Sequence, residues 1–317
     1  GDQSHGKSTL LERLCLMPLF PRKRGLCTSA PVKVSIRRSP TALPAQLQVW
    51  DNKLDRPIGE PRIVPLNDGN VDVREAMAVA MSGETCDVTV DRELRLTIHS
   101  PTLPPMNLVD LPGLVQLPET LRKATRTLVD SYLSQHEKSS IFLVVVRADS
   151  SPRTSEALGI IMKRKLAAST VGVLTFCDKL DTDEDHEILQ QVLSNSTAQS
   201  KECVPLKPHG YVATTNREIR KVAGETNRSR LLAQARAEIR WFKEEGYATD
   251  GTVTTDALIS KLGTIYAEYV RQTFIPRTLL QIFFKYREYE EQQRQLGLPA
   301  PPATGGRSRS ARGRRPR

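Results

Sequence analysis

The sequence predicts an α/β fold of three layers, with helices on both faces of a mostly parallel central sheet. Three observations predict it. A glycine-containing run at residues 1–8 leads straight into an amphipathic helical pattern. An apolar stretch, Met106-Asn107-Leu108-Val109, ends in Asp110-Leu111-Pro112-Gly113. Strand-like apolar runs then alternate with helical patterns from residue 118 to residue 215.

The first run, Gly1-Asp2-Gln3-Ser4-His5-Gly6-Lys7-Ser8, fits G-x-x-x-x-G-K-[ST], a phosphate-binding P-loop. Gly1 and Gly6 let the backbone turn tightly and aim N–H groups at phosphate oxygens. Lys7 neutralises the β- and γ-phosphates, and Ser8 offers its hydroxyl to Mg²⁺. Leu10, Leu11 and Leu14 share one face of the helix whose N-terminus completes the anion site. Such a match arises by chance on the order of once per hundred chains of this length, so its force depends on the motifs further along the chain.

After a basic connection, Pro21 to Thr28, the pattern Val32-Lys33-Val34-Ser35-Ile36 alternates as a half-exposed strand. Thr28 stands where a loop residue can close over Mg²⁺ and the γ-phosphate as a switch. Residues 38 to 70 are rich in Pro and polar residues and read as a peripheral excursion without regular pattern. Val71 to Met81 suits a short helix, and Leu94-Arg95-Leu96-Thr97-Ile98 alternates as a strand. In the motif at 110–113, Asp110 at the end of an apolar strand can hold Mg²⁺ through water. Gly113 can then give a backbone N–H to the γ-phosphate.

Pro118 to His136 suits a helix, Ile141 to Val146 a buried parallel strand, and Arg153 to Leu166 another helix. The strand Val171 to Phe176 delivers Cys177-Asp178-Lys179-Leu180-Asp181. Guanine presents two adjacent donors that one carboxylate accepts together, while a lysine stem lies along the ring. Asp181 and Lys179 have the spacing for those roles. A charged loop is the competing reading, since Asp183, Glu184 and Asp185 follow. The strand Gly210 to Thr214 ends at Thr215-Asn216-Arg217, where a last base contact would fall. Beyond it, Trp241 and Phe242 read as core anchors. Leu258, Leu262, Ile265, Tyr266, Tyr269 and Val270 form the core face of a helix over Val253 to Phe274. Pro276 interrupts that pattern, which resumes over Leu279 to Leu296.

The 317 residues, 38% hydrophobic and 26% charged, suffice for one large α/β domain with an appendage or for two small domains. Five cysteines without a C-x-x-C pair point away from a disulfide framework or zinc site and toward a reducing, cytosolic setting. No run of eighteen apolar residues suggests a membrane span, and a chain that opens on a P-loop is expected to carry no secretory leader. Of the net charge of +10, six units belong to Arg307, Arg309, Arg312, Arg314, Arg315 and Arg317, which leaves +4 for the body. That terminal stretch reads as disordered. It suits contact with RNA or anionic lipid, or a solvated end with no partner.

In this order the motifs resemble the GTPase domain of the dynamin superfamily. The resemblance rests on Gly1 to Ser8 with its Gln3-Ser4 pair, Pro21 to Thr28 with Pro31 behind it, Leu108 to Gly113, Asp178 to Asp181, and Thr215-Asn216-Arg217. It implies a three-layer P-loop GTPase domain over 1–275 lacking its first strand, a bundle-signalling-like helix over 276–296 after a hinge at Pro276, and a basic tail over 297–317. It also implies that Gln3 orients the attacking water and Ser4 helps hold a monovalent cation, K⁺ or Na⁺. Lys7 and Thr28 complete the catalytic set, and Ser8, Thr28 and Asp110 organise Mg²⁺. Gly1, Ser4, Gly6, Lys7, Ser8, Thr9 and Gly113 line the phosphates, while Lys179, Asp181, Asn216 and Arg217 read the base.

The implied activity is hydrolysis of GTP to GDP and phosphate in membrane remodelling, through self-assembly and pairing of GTPase domains. The implied location is cytoplasmic and peripheral at membranes or microtubules. Nucleic acid is not an expected partner of the body. The alternative is a non-hydrolysing fragment that acts as an interaction module by pairing with a longer relative. An ATPase is disfavoured by Lys179-Leu180-Asp181. Asp178 stands where the family usually has Thr or Asn, and Lys23 where it usually has Gly. With Gly1 first, the strand that feeds the loop is expected to be missing, and the chain as given is expected to bind GTP poorly.

Overall fold

A computed structural model of the chain describes residues 1–20, 30–65, 71–82, 91–101, 103, 105–198, 201–215, 217, 225–248 and 250–297. Thr28, Lys23, Asn216 and the arginines of the C-terminal tail lie outside the described residues. The chain divides into two compact units, Gly1–Lys261 and Leu262–Arg317.

The first unit carries two sheets. In the five-stranded sheet the order is β3-β2-β4-β1-β5. Strand β1 (Val32–Arg38) buries Val32, Val34 and Ile36 and leaves the residues between them less deeply covered, as a period of two requires. It pairs in parallel with β4 (Arg92–Ser100), in a register that sets Val34 beside Leu96 and Ile36 beside Ile98. On its other side it pairs antiparallel with β5 (Met106–Asp110), Val32 facing Asp110.

Residues 38 to 70, which read as irregular from sequence, instead hold β2 (Leu43–Asp51) and β3 (Arg56–Val64), an antiparallel hairpin against β4. The physical reason for the misreading is that eight of the nine β3 residues are exposed. The strand therefore shows no apolar alternation, and Pro57 and Pro61 argue against a strand in any sequence reading. Helix α2 (Val71–Ser82) lies where the sequence placed one.

The second sheet is parallel throughout: β6 (Phe142–Arg147), β7 (Thr170–Thr175) and β8 (Tyr211–Ala213), in that order. All six residues of β7 are buried, which is why this strand is a continuous rather than alternating run. Its core joins Val144, Val146, Leu158, Leu174, Tyr211 and Phe242. Helices α3 (Glu119–His136), α4 (Glu156–Lys163), α5 (Asp183–Leu193) and α6 (Asn227–Glu244) alternate with and follow these strands. Phe242 is a core anchor, as expected, and Trp241 packs against the cluster half-buried.

Helix α7 (Thr255–Tyr269) is followed by a π-helical turn, Val270–Phe274, and by α8 (Ile275–Gln295). The α-helical pattern is interrupted next to Pro276, as expected, by the π-helical turn that precedes it, and Pro276 sits in the first turn of α8. One expectation changes here. Leu258 is buried, but Tyr266 is 62% exposed, and Leu262, Ile265, Tyr269 and Val270 are only partly buried. Helical spacing reports an apolar face, and this face is not covered by the described residues. No described helix is long and apolar enough to cross a membrane.

Candidate nucleotide site

The P-loop turns through two left-handed residues, Ser4 (φ 62°) and Gly6 (φ 81°). Gly6 then accepts the first helical hydrogen bond from Leu10 N, at 2.9 Å. Helix α1 (Lys7–Cys15) receives no side-chain bond at its N-cap and has no acid in its first turn. With no acid there, the positive end of the helix dipole favours an anion.

The Asp-x-x-Gly segment after β5 packs directly on this loop. Gln3 N donates to Leu114 O at 2.8 Å, and Asp2 and Leu114 form a parallel bridge. Ser8 Oγ donates to Asp110 Oδ2 at 2.7 Å, and Asp110 is buried. Lys7 curls back so that its ammonium donates to Asp2 O at 2.8 Å. Gly113 closes the corner: a β-carbon there would lie 2.8 Å from Lys7 Nζ and 2.9 Å from Gln3 Cα. No other residue type fits without moving the P-loop backbone.

The parallel sheet holds the opposite side of the loop. Thr175, the last residue of β7, donates its hydroxyl to His5 O at 2.8 Å, and His5 Nδ1 lies 3.4 Å from Val145 O on β6. Burial lowers the His5 pKa, and the nearby Asp2 charge only partly offsets this. The imidazole is therefore neutral at pH 7.

From Thr175 the chain passes through Phe176, left-handed at φ 59°, into the short turn Cys177–Lys179. Lys179 and Asp181 are exposed here, with Lys179 Nζ 5.6 Å from the Phe176 ring centre. Thr182 caps α5, accepting from Asp185 N at 3.2 Å. Asp183, Glu184 and Asp185 fill the first turn of that helix, where the dipole favours acids. The acidic neighbourhood thus has a helix-start explanation of its own, separate from Asp181. Arg217 is exposed and lines a cavity of about 320 Å³ together with Asp178 and Thr215. The described residues expected from sequence lie in two places: Gly1, Gln3, Ser4, Gly6, Lys7, Ser8, Thr9, Asp110 and Gly113 at the loop and the segment packed on it, and Lys179, Asp181 and Arg217 beyond β7 and β8.

Residues 1–177 match the Dynamin family, which is more than half of the 317-residue chain. The chain belongs to the Dynamin family. It is 27% identical to Dynamin-B of Dictyostelium discoideum over 98% of its own length and 35% of that protein's. To the interferon-induced GTP-binding protein Mx1 of Oncorhynchus mykiss it is 26% identical, over 95% of its own length and 46% of that protein's. To the interferon-induced GTP-binding protein Mx2 of Sus scrofa it is 29% identical, over 84% and 36%. The chain thus spans between about a third and about a half of the length of these curated relatives.

In this Dynamin-family chain, the described residues hold no cluster of three or more His, Cys, Asp or Glu side chains that could cage a metal. What they do hold, the Ser8 hydroxyl against the Asp110 carboxylate, fits Mg²⁺. That ion prefers one or two protein oxygens and takes the rest of its shell from water and phosphate.

The sequence reading missed one buried ion pair near the site. Arg13 lies on the apolar face of α1, between Leu10 and Leu14, and is 5% exposed; Glu238 of α6 is 2% exposed. The two form a two-pronged ion pair, with Arg13 Nη1 donating to Glu238 Oε1 at 3.0 Å. A cation in the middle of a buried helical stripe is the signal that marks such a residue.

Proposed function

We propose that this chain binds GTP and hydrolyses it to GDP and phosphate by direct attack of water. The observation that carries the reading is the convergence of Lys7, Gln3 and Gly113 on one point beside the Ser8–Asp110 pair. Phosphoryl transfer asks little covalent chemistry of a protein. It asks for charge compensation and a positioned water. Lys7 sits where it would neutralise the β- and γ-phosphates, the Gly113 N–H adds a donor toward the γ-phosphate, and Gln3 orients the water. Ser8 and Asp110 would hold Mg²⁺, with Thr28 as a third contributor. The ion supplies further charge neutralisation of the phosphates when bound.

Asp181 and Lys179, with Asn216 and Arg217, read guanine. In the finer reading Ser4 helps hold a monovalent cation, GTPase domains pair to complete the site, and the protein remodels membranes through self-assembly. Family membership and the names of the GTP-binding relatives support the binding of GTP in this reading.

Phosphate release from GTP with Mg²⁺ tests the proposal. A longer protein that contains this chain is expected to turn over GTP, and Lys7→Ala within it is expected to lose both binding and turnover. A chain that bound GTP weakly or not at all and released no phosphate at any protein or K⁺ concentration would instead be the non-hydrolysing interaction module.

A further inference from the structure

We propose that the buried Arg13–Glu238 pair is the positioning device of the base-reading loop, so that two residues set behind the nucleotide govern the preference for guanine. The inference rests on the GTP reading above and adds a mechanism to it.

The observation is a change of support at Thr215. Up to Thr214 the chain after β8 is held as a strand: Ala213 N donates to Thr252 O at 2.8 Å, and Thr214 N donates to Leu174 O at 2.7 Å. At Thr215, the residue before Asn216 and Arg217, side chains take over. Thr215 N donates to Glu238 Oε1 at 2.9 Å, and Thr215 O accepts from Arg13 Nη1. Both main-chain groups of that residue are thus held by one ion pair. Glu238 is in turn fixed by Thr255 N, which donates to Oε2 at 2.9 Å, and by the Thr255 hydroxyl, at 3.3 Å from Oε1.

Two further features make the pair matter for position. The cavity of about 320 Å³ beside this loop is lined by Asp178, Thr215, Arg217, Gln234, Glu238 and Trp241. With that space open, directional hydrogen bonds rather than close packing fix the loop on this side. The planar fork of arginine, moreover, reaches the carboxylate and the Thr215 carbonyl together, a geometry that lysine cannot reproduce. Arg13 belongs to the same helix, α1, that begins with Lys7 and Ser8. One rigid helix therefore presents its first turn to the phosphates and its second to the backbone of the base loop.

The test compares dissociation constants for GDP and ADP, measured by competition, in four proteins: the unmodified chain, Arg13→Lys, the double variant Arg13→Gln with Glu238→Gln, and Leu133→Ala. The double variant avoids the unpaired buried charge that either single neutralisation would leave. Leu133→Ala removes a buried side chain of α3 away from the loop and serves as a destabilised control. Arg13→Lys and the double variant are expected to weaken GDP about tenfold while leaving ADP nearly unchanged, so that the ratio falls about tenfold. Leu133→Ala is expected to lower the melting temperature with its ratio intact. A ratio that stayed at the unmodified value in both pair variants would overturn the positioning role, as would a parallel loss of GDP and ADP affinity. An unmodified chain with no preference for GDP would overturn the GTP reading and this inference with it.

Discussion

Around Lys7 the site is held mainly by main chain and by the absence of a side chain, with Gln3 N on Leu114 O and Gly113 fitted where no β-carbon can go, and with one hydroxyl, that of Thr175, on His5 O. Around Thr215 it is held by side chains reaching in from two helices, with an open cavity alongside. The difference teaches what each end can tolerate. A main-chain cradle is indifferent to most substitutions and fails abruptly at one or two glycines. A loop tethered by side chains can be retuned by degrees.

The comparison breaks most sharply at Gly113. Gly113→Ala forces the P-loop backbone away from a contact of 2.9 Å and is expected to cut kcat for GTP by about a hundredfold or more, with a folded protein by circular dichroism. Gln3→Ala is expected to cut kcat by roughly tenfold to a thousandfold while leaving the Kd for GTP nearly intact, a split that steady-state and binding measurements together resolve. At the other end, Asp181→Ala is expected to weaken GTP by about a hundredfold without strengthening ATP. Calorimetry showing equal affinity for both nucleotides before mutation would remove the contrast between the two ends altogether.

Smaller effects sharpen the picture. Thr182→Ala removes the N-cap of α5 just after Asp181 and is expected to cost about 1 kcal/mol of stability, read as a lower melting temperature. Its effect on nucleotide selectivity should be far below that of Asp181→Ala. His5 has its pKa lowered by burial, so the unfolded chain binds a proton there more readily than the folded one. The folded state is thus at full strength above about pH 6.5, the ordinary histidine value. It loses stability as the pH falls from there toward the lowered folded value. Melts of the unmodified chain and His5→Gln between pH 7.5 and 5.5 are expected to diverge in that direction, and parallel curves would show that the imidazole is not buried against β6.

Much of the phosphate end was legible in the sequence, because a P-loop and an Asp-x-x-Gly segment are local strings whose geometry is nearly fixed by glycine, lysine and one carboxylate. The parallel strands were legible too, since burial on both faces writes itself as an unbroken apolar run such as Val171 to Leu174. The β3 half of the hairpin at 43–64 was not, because a strand exposed on both faces carries no period of two. Nor was the Arg13–Glu238 pair, whose partners lie far apart along the chain and meet only through packing of α1 against α6. Pro276 was legible for a local reason: proline is unsuited to a helix interior, and the π-helical turn just before it separates α7 from α8.

The strand that ends the five-stranded sheet bears on how copies of this chain can meet. An exposed edge of nine residues would ordinarily be a template for a further strand from another molecule. On β3, Pro57 and Pro61 remove two of the nine amide donors, and Arg56, Glu60 and Arg62 stud the same edge with charge. A neighbour's backbone would find an interrupted ladder there and would have to strip water from those charges to use it. Association through this edge is therefore steered away from continuing the sheet and toward contacts between side chains, which can be made and broken without unfolding an edge.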